Sequence, residues 1–329
     1  MGVQSGLDQV RTILKSKNSF ILAGHTTPDG DSIGACLALA LALKKAGKEV
    51  TVLLEPYFTR FSVIPGQELL YTGEPDDLSA DVFLCLDCAD ATRLGKFIHL
   101  LNRARLTACI DHHVTNEGFC TFNFIDGGAS STSELVYRML DGEFEMDVDV
   151  ASAIYAGIIS DTDGLRFSSV NAETLRVVGC LIEMGIPFTD IYTKLLRTHT
   201  YAEGRLLGKL LEASVRQSSK RVVSSCVTRE MMKSVKATTF HLEGAVEFLL
   251  NTKGAEVAIL LYEKKEPSVK ISLRSRNIDV SEIAAALGGG GHTLAAGAVA
   301  EGDIIEIRNR VLGLVNKSLK TYDKEKAAK

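Results

Sequence analysis

The sequence predicts an α/β fold: a parallel sheet flanked by helices, with a second, smaller α/β domain across a cleft. Three observations lead there. Through the first half, short apolar runs alternate with helix-like stretches, the pattern of βαβ units. After about Lys220 the pattern changes to three strand-like runs interleaved with shorter helical ones. The 329 residues also exceed the roughly 250–300 at which a single core stops growing.

The elements follow in order. "SFILAGH" (19–25) reads as a buried strand. "DSIGACLALALALKKAG" (31–47) is an Ala/Leu-rich helix, with Asp31 placed to cap it and Gly47 to stop it. "EVTVLLE" (49–55) is a strand, and "DVFLCLDCAD" (81–90) and "LTACIDHH" (106–113) are strands running into turns. Helices are expected at 131–141 and 148–160, and two more within 171–217. Strands follow at "RVVSSCVT", "EVAILLYEK" and "SVKISLRSR", with helices near 240–251 and 279–287. "GGGGHTLAAGAVA" and a helix with a charged tail close the chain. The spacing thus predicts a Rossmann-like sheet over 1–190, a helical linker over 191–218 and the smaller domain over 219–329.

Bulk composition narrows the function. A formal charge of -4 argues against a sequence-independent grip on long duplex nucleic acid, which shows as a strongly basic face. A short anionic ligand held by a local cluster of cations is still allowed. The longest apolar run, around Ala35–Leu43, is too short for a bilayer, which needs about 20 residues, so no membrane partner is expected. The start lacks the apolar core and cleavage site of a signal peptide. Seven cysteines, mostly in apolar segments and without zinc spacing, read as reduced core thiols of a cytoplasmic protein.

Ligands of parallel α/β sheets bind just beyond the carboxyl ends of the strands. The first strand here is followed by His25, Asp29 and Asp31, the third by Asp87 and Asp90, and the next by Asp111, His112 and His113. Helix 148–160 leads into Asp161 and Asp163. Taken singly, Asp31 and Asp90 read as helix caps or turn residues. Together, clustered carboxylates without a cation would raise one another's pKa and destabilise the fold. Carboxylate oxygen with some imidazole suits Mn²⁺ or Mg²⁺ better than structural zinc. So many ligands exceed one ion's need and point to two, about 3.5–4 Å apart and bridged by a shared carboxylate. Such a pair polarises a phosphoryl oxygen and lowers the pKa of a bridging water.

In the second domain, four glycines at 288–291 let a backbone approach an anion closely and offer it N–H groups, unless they form only a hairpin connection. Arg274 and Arg276 alternate along a strand, with Ser275 on the opposite face. Paired arginines suit phosphate, although Arg276 also reads as a plain edge cation.

"HTTPDGDSIG", "LCLDCAD", "DHHVTN" and "SDTDG" resemble, in order, the four signature motifs of the DHH phosphoesterase superfamily. "ISLRSR" followed by "GGGGHTLAAG" resembles the DHH-associated C-terminal domain. The resemblance spans nearly the whole chain. The compact size looks most like the nanoRNase group, bifunctional oligoribonucleases and 3'-phosphoadenosine 5'-phosphate phosphatases; RecJ exonucleases share the motifs but are larger. The resemblance implies that His25, Asp29 and Asp87 hold one Mn²⁺ (or Mg²⁺ or Co²⁺), and Asp31, Asp87, His112 and Asp161 the other, with Asp87 bridging. It implies that Asp111 orients His112, that His113 faces the scissile phosphate, and that Arg274, Ser275, Gly289, Gly290, Gly291 and His292 grip the substrate's far end. The family's fourth motif reads Asp-Thr-Gly, whereas here Asp163 intervenes before the glycine and is taken as a turn residue.

The expected activity is two-metal hydrolysis of short RNA oligonucleotides, linear dinucleotides such as pApA, or 3'-phosphoadenosine 5'-phosphate. The rivals are a hydrolase of cyclic dinucleotides or another small phosphate ester, and a catalytically silent nucleotide-binding regulator. The apolar helices within 171–217 offer a face for a homodimer. A dehydrogenase is excluded, because "HTTPDGDS" is acidic where a dinucleotide needs a GxGxxG turn.

Overall fold

The computed structural model describes residues 3–327 apart from 74 and 266. It divides into two compact units between Thr198 and His199. The stretch 191–218 is shared between them: Ile191 and Leu195 bury in the core of the first unit, Leu206 and Leu210 in that of the second.

In the first unit, helix α1 (Val3–Ser16) precedes strand β1 (Ser19–Ala23), α2 (Gly30–Lys45), β2 (Glu49–Leu53), β3 (Val82–Leu86) and α3 (Ile98–Arg103). Then come β4 (Thr107–Asp111), β5 (Phe122–Ile125), α4 (Thr132–Leu140), α5 (Val148–Asp161), α6 (Ala172–Glu183) and α7 (Phe188–Tyr192). The strands lie in the order β2-β1-β3-β4-β5, all parallel. Chain order reverses between β1 and β3, so a crevice opens at the carboxyl ends of those two strands. Neither α1 nor β5 is legible in the apolar pattern. In β5 only Phe124 is fully buried, and a half-wet edge strand of four residues leaves no apolar run.

Helix α2 starts one residue earlier than expected, and its cap is Asp29, not Asp31. Asp29 Oδ1 accepts from the backbone N–H of Asp31 and Ser32, both at 3.1 Å. The first of the two acids is therefore both cap and candidate ligand, and Asp31 is freed to point into the interior. Almost all of α2 is buried, because it lies on the sheet and packs against α4 and α5. Two glycines allow that approach. A Cβ on Gly34 would lie 2.7 Å from the carbonyl oxygen of Ala153 in α5, and one on Gly157 would lie 1.9 Å from Ser133 Oγ in α4.

The second unit begins with α8 (Tyr201–Glu212), β6 (Val215–Gln217), β7 (Val222–Val227), α9 (Arg229–Ser234) and α10 (Ala245–Leu250). It continues through β8 (Val257–Glu263), β9 (Ser268–Ser275), α11 (Ser281–Ala285), β10 (Gly290–His292), β11 (Ala295–Glu301) and α12 (Ile304–Ala327). Its mixed sheet runs β10-β11-β9-β8-β7-β6. One face packs on α8, α9 and α10, the other on α11 and α12. The helix expected at 240–251 is broken by Gly244 at φ 70°, leaving a 3₁₀ turn and the short α10. That expected at 279–287 shrinks to α11. Among the described residues, no helix is long and apolar enough to cross a membrane.

Candidate metal centre

The three strand ends deliver their acids and histidines to one rim. His25 Nε2 lies 3.6 Å from Asp29 Oδ2 and 3.4 Å from Asp87 Oδ2. His112 Nε2 lies 3.7 Å from Asp87 Oδ1 and 3.6 Å from Asp161 Oδ2. These separations are too long for hydrogen bonds and suit donors that meet on a common centre. Three sets of donor atoms each gather within 4.8 Å: His25, Asp29 and Asp87; Asp31, His112 and Asp161; Asp87, His112 and His113. Asp87 and His112 each stand in two of them. Every residue expected to hold metal is thus brought to this rim.

The electrostatics show what the cluster lacks. Among the described residues, no lysine or arginine pairs with Asp31, Asp87 or Asp161; histidines face Asp87 and Asp161, and hydrogen-bond donors from the start of α4 face Asp31 and Asp87. Burial, reinforced by the charges of Asp87, Asp161 and Asp29, holds the Asp31 carboxyl well above its usual range. Burial, with Asp87 and Asp29 adding to it and His112 opposing, pushes Asp161 up to about 6. Burial works against a charged His25, but the carboxylates of Asp29 and Asp87 outweigh it and push the imidazole up to about 10. Oxygen-rich donors with imidazole are the set that hard and borderline divalent cations prefer.

Residues 19–158 match the family model described as the DHH family, N-terminal domain, and residues 221–320 match the DHHA1 domain. Over 94% of this chain and 93% of the relative, the sequence is 31% identical to the "Bifunctional oligoribonuclease and PAP phosphatase NrnA" of Thermus thermophilus. The chain belongs to the DHH family. A Bacillus subtilis protein of the same name is 25% identical, over 88% of this chain and 91% of that one. An exopolyphosphatase-related protein from Bacteroides fragilis shares the fold at a TM-score of 0.88 and 27% identity, with 97% and 96% of the two chains covered.

The Asp-His-His that names the DHH family is wired differently from the expectation. Asp111 does not orient His112. Its Oδ1 lies 2.7 Å from Nδ1 of His113, and its Oδ2 accepts from Asn116 Nδ2, also at 2.7 Å. β4 ends at Asp111, and in the turn beyond it His112 and His113 both reach Asp87 Oδ1, so the path of that turn brings His113 Nδ1 back onto Asp111. Asp111 is the first contributor to the His113 shift, which runs upward. The structure adds four residues that sequence reasoning missed. Asn116 ties Asp111 to the carbonyl of Cys88 at 3.0 Å. Arg93 lies 3.2 Å from His25 Nδ1. Thr132 and Ser133, at the start of α4, donate their backbone N–H groups to Asp31 at 2.7 and 2.9 Å. Asn116 stands in the quoted "DHHVTN", but hydrogen bonds between distant residues leave no spacing signal. Asp90 only caps the turn that follows it, bonding Thr92. Asp163 sits in a turn at φ 46° and pairs with Arg166 three residues on.

In the DHHA1 domain, register puts His292, Ala295 and Arg274 in one cross-strand row, and so on one face. Two strand spacings separate Arg274 from His292, about 10 Å. The Arg274 guanidinium already pairs with Glu247, Nε to Oε1 at 2.7 Å. Ser275 lies on the other face, buried, with its Oγ accepting from the N–H groups of Asn277 and Ile278. Arg276 lies beyond the end of β9 and bonds the carbonyls of Ala255 and Leu250. The glycine run is no open loop: Gly290–His292 forms edge strand β10, paired to β11. A Cβ on Gly291, at φ 146°, would lie 2.6 Å from the Ala295 carbonyl, which explains the glycine.

Proposed function

We propose that this chain is a metal-dependent phosphoesterase that hydrolyses short RNA oligonucleotides and 3'-phosphoadenosine 5'-phosphate. The observation that carries the reading is the convergence of three strand ends and one helix end on a cluster whose donor sets share Asp87 and His112. His25, Asp29 and Asp87 would hold one divalent cation, and Asp31, Asp87, His112 and Asp161 the second. Manganese or magnesium fits this oxygen-rich set. When bound, such a pair supplies Lewis-acid activation of phosphate and water. Two relatives covered nearly end to end, named as bifunctional oligoribonuclease and PAP phosphatase, support the substrate class.

The chain's own residues would do the following. Asp111 and Asn116 fix His113 with its Nδ1–H on the carboxylate, which also favours the protonated ring; the Nε2–H of that imidazolium would donate to a negative phosphate oxygen. Arg274 and His292 share a face suited to an anionic end group, with Glu247 holding the guanidinium in place. Gly289, Gly290 and Gly291 shape the edge strand beside them. Ser275 sets the turn after β9 rather than touching substrate.

The deciding experiment is a turnover panel with Mn²⁺ or with chelator: pApA, 3'-phosphoadenosine 5'-phosphate, cyclic di-AMP, pyrophosphate and an RNA 50-mer. Rapid metal-dependent release from the first two is expected. Equal rates on the 50-mer, or activity confined to cyclic di-AMP or pyrophosphate, would refute the substrate assignment.

A further inference from the structure

Thr132, the first residue of α4, is fully buried beside Asp87, and its Oγ1 donates to Asp87 Oδ1 at 3.0 Å. The hydroxyl is not needed to cap the helix, because Ser131 Oγ already accepts from the N–H of Glu134. Its backbone N–H goes elsewhere, to Asp31 Oδ2. One residue therefore bonds acids that arrive from two different strands, Asp31 after β1 and Asp87 after β3.

Asp87 needs such a partner. Its backbone is left-handed, at φ 60°, a conformation that costs a non-glycine residue about 1–2 kcal/mol. Its carboxylate also faces different histidines with each oxygen: Oδ2 toward His25, Oδ1 toward His112 and His113. Partial rotation about the last side-chain bond would misalign these oxygens with both sides, and that torsion is intrinsically soft. The histidine contacts, all 3.4 Å or longer, do not prevent it.

We propose that Thr132 is the positioning residue for the carboxylate that stands in two of the donor sets, fixing the plane in which its oxygens face the two halves of the centre. This rests on the two-cation reading above. Partners that orient metal ligands typically change affinity by about 10–100-fold when removed, so the hydroxyl is worth testing alone.

Thr132→Val removes the hydroxyl and keeps the shape and the N–H bond to Asp31; Thr132→Ser keeps the hydroxyl. Calorimetric titration with Mn²⁺, on metal-free proteins whose melting curves are compared first, should show affinity about 10–100-fold weaker for valine, with serine restoring the wild-type value. Thr132→Ala serves for the same comparison if valine does not fold. Valine or alanine binding Mn²⁺ as tightly as threonine would overturn the proposal, as would serine losing as much as valine. Wild-type protein that takes up no Mn²⁺ would instead sink the two-cation reading itself, and this proposal with it.

Discussion

The Oδ1 of Asp111, fully buried, lies 2.7 Å from Nδ1 of His113, while Asn116 donates to its other oxygen. The carboxylate accepts twice and donates nothing, so it holds a proton on His113 Nδ1 and leaves Nε2 for other partners. Asp111→Asn keeps the shape but turns one acceptor into a donor. The amide can then satisfy His113 or Asn116, not both. Turnover should fall by about 10²–10⁴-fold, the range of one lost acid–base or proton-positioning group. Mn²⁺ affinity and KM should change little. A comparable loss in metal affinity would show that Asp111 acts through the metal ligands instead.

Asp87 is the other pivot. Asp87→Asn should retain the fold, because asparagine tolerates the left-handed backbone that Asp87 occupies. It should lose activity and bind Mn²⁺ more than about 100-fold weaker, since a donor shared by two sets matters more than an outer partner. Melting in chelator, compared with wild type, checks the fold.

The pH dependence follows from the shifted groups. Asp31 and Asp161 have folded pKa values above those of an unfolded carboxylate, near 3.9. Their ionisation therefore destabilises the metal-free fold as pH rises from about 4 through 6. His25, pushed up to about 10, contributes stability that is complete below about 6.5 and is lost as pH rises toward 10. Both effects weaken the metal-free protein between pH 5 and 8. A divalent cation replaces those protons. The rise in melting temperature on adding Mn²⁺ should accordingly be larger at pH 8 than at pH 5. An equal or smaller rise at pH 8 would contradict this picture.

What the sequence discloses has a physical boundary. The strand-end acids are legible because a short apolar run followed by Asp and His is a local pattern, and the parallel topology then brings three such ends together. The cap of α2 is misread by two residues, since Asp29 and Asp31 both precede the apolar run and only the loop path decides between them. The partner of Asp111 depends on how the chain turns after β4 ends, and no local residue pattern records that path. Thr132 acts on Asp87 across 45 positions, and nothing in a single sequence marks that bond. The glycine run reads as an anion loop until the pairing of β10 with β11 shows that close strand approach requires Gly291.

Arg274 offers a test in the second unit. Its guanidinium is held by Glu247 through Nε and donates from one terminal nitrogen to the Leu273 carbonyl, so it is pre-aligned rather than loose. Arg274→Ala should raise KM for 3'-phosphoadenosine 5'-phosphate by about 10–100-fold, the equivalent of one charge-assisted hydrogen bond. The value of kcat should hold. Measured KM unchanged, with kcat reduced, would remove Arg274 from the binding face.

Helix α5 carries the last prediction, in which packing reverses a rule. A helical Gly→Ala change normally stabilises by about 0.5–1 kcal/mol, through lower entropy of the unfolded chain. Gly179 in α6 has nothing within 4 Å of its would-be Cβ and should follow that rule. At Gly157 the methyl would lie 1.9 Å from Ser133 Oγ and 3.0 Å from Asp31 Oδ1. Overpacking of this kind costs about 1–3 kcal/mol. It would also push on the segment whose amides hold Asp31, so Gly157→Ala should lower both stability and Mn²⁺ affinity while Gly179→Ala raises stability and leaves affinity alone. Urea melts and metal titrations on the two variants measure this directly. Stabilisation at Gly157 would mean that α5 stands further from α4 than described, and that the tight seam is not what holds Asp31 in the centre.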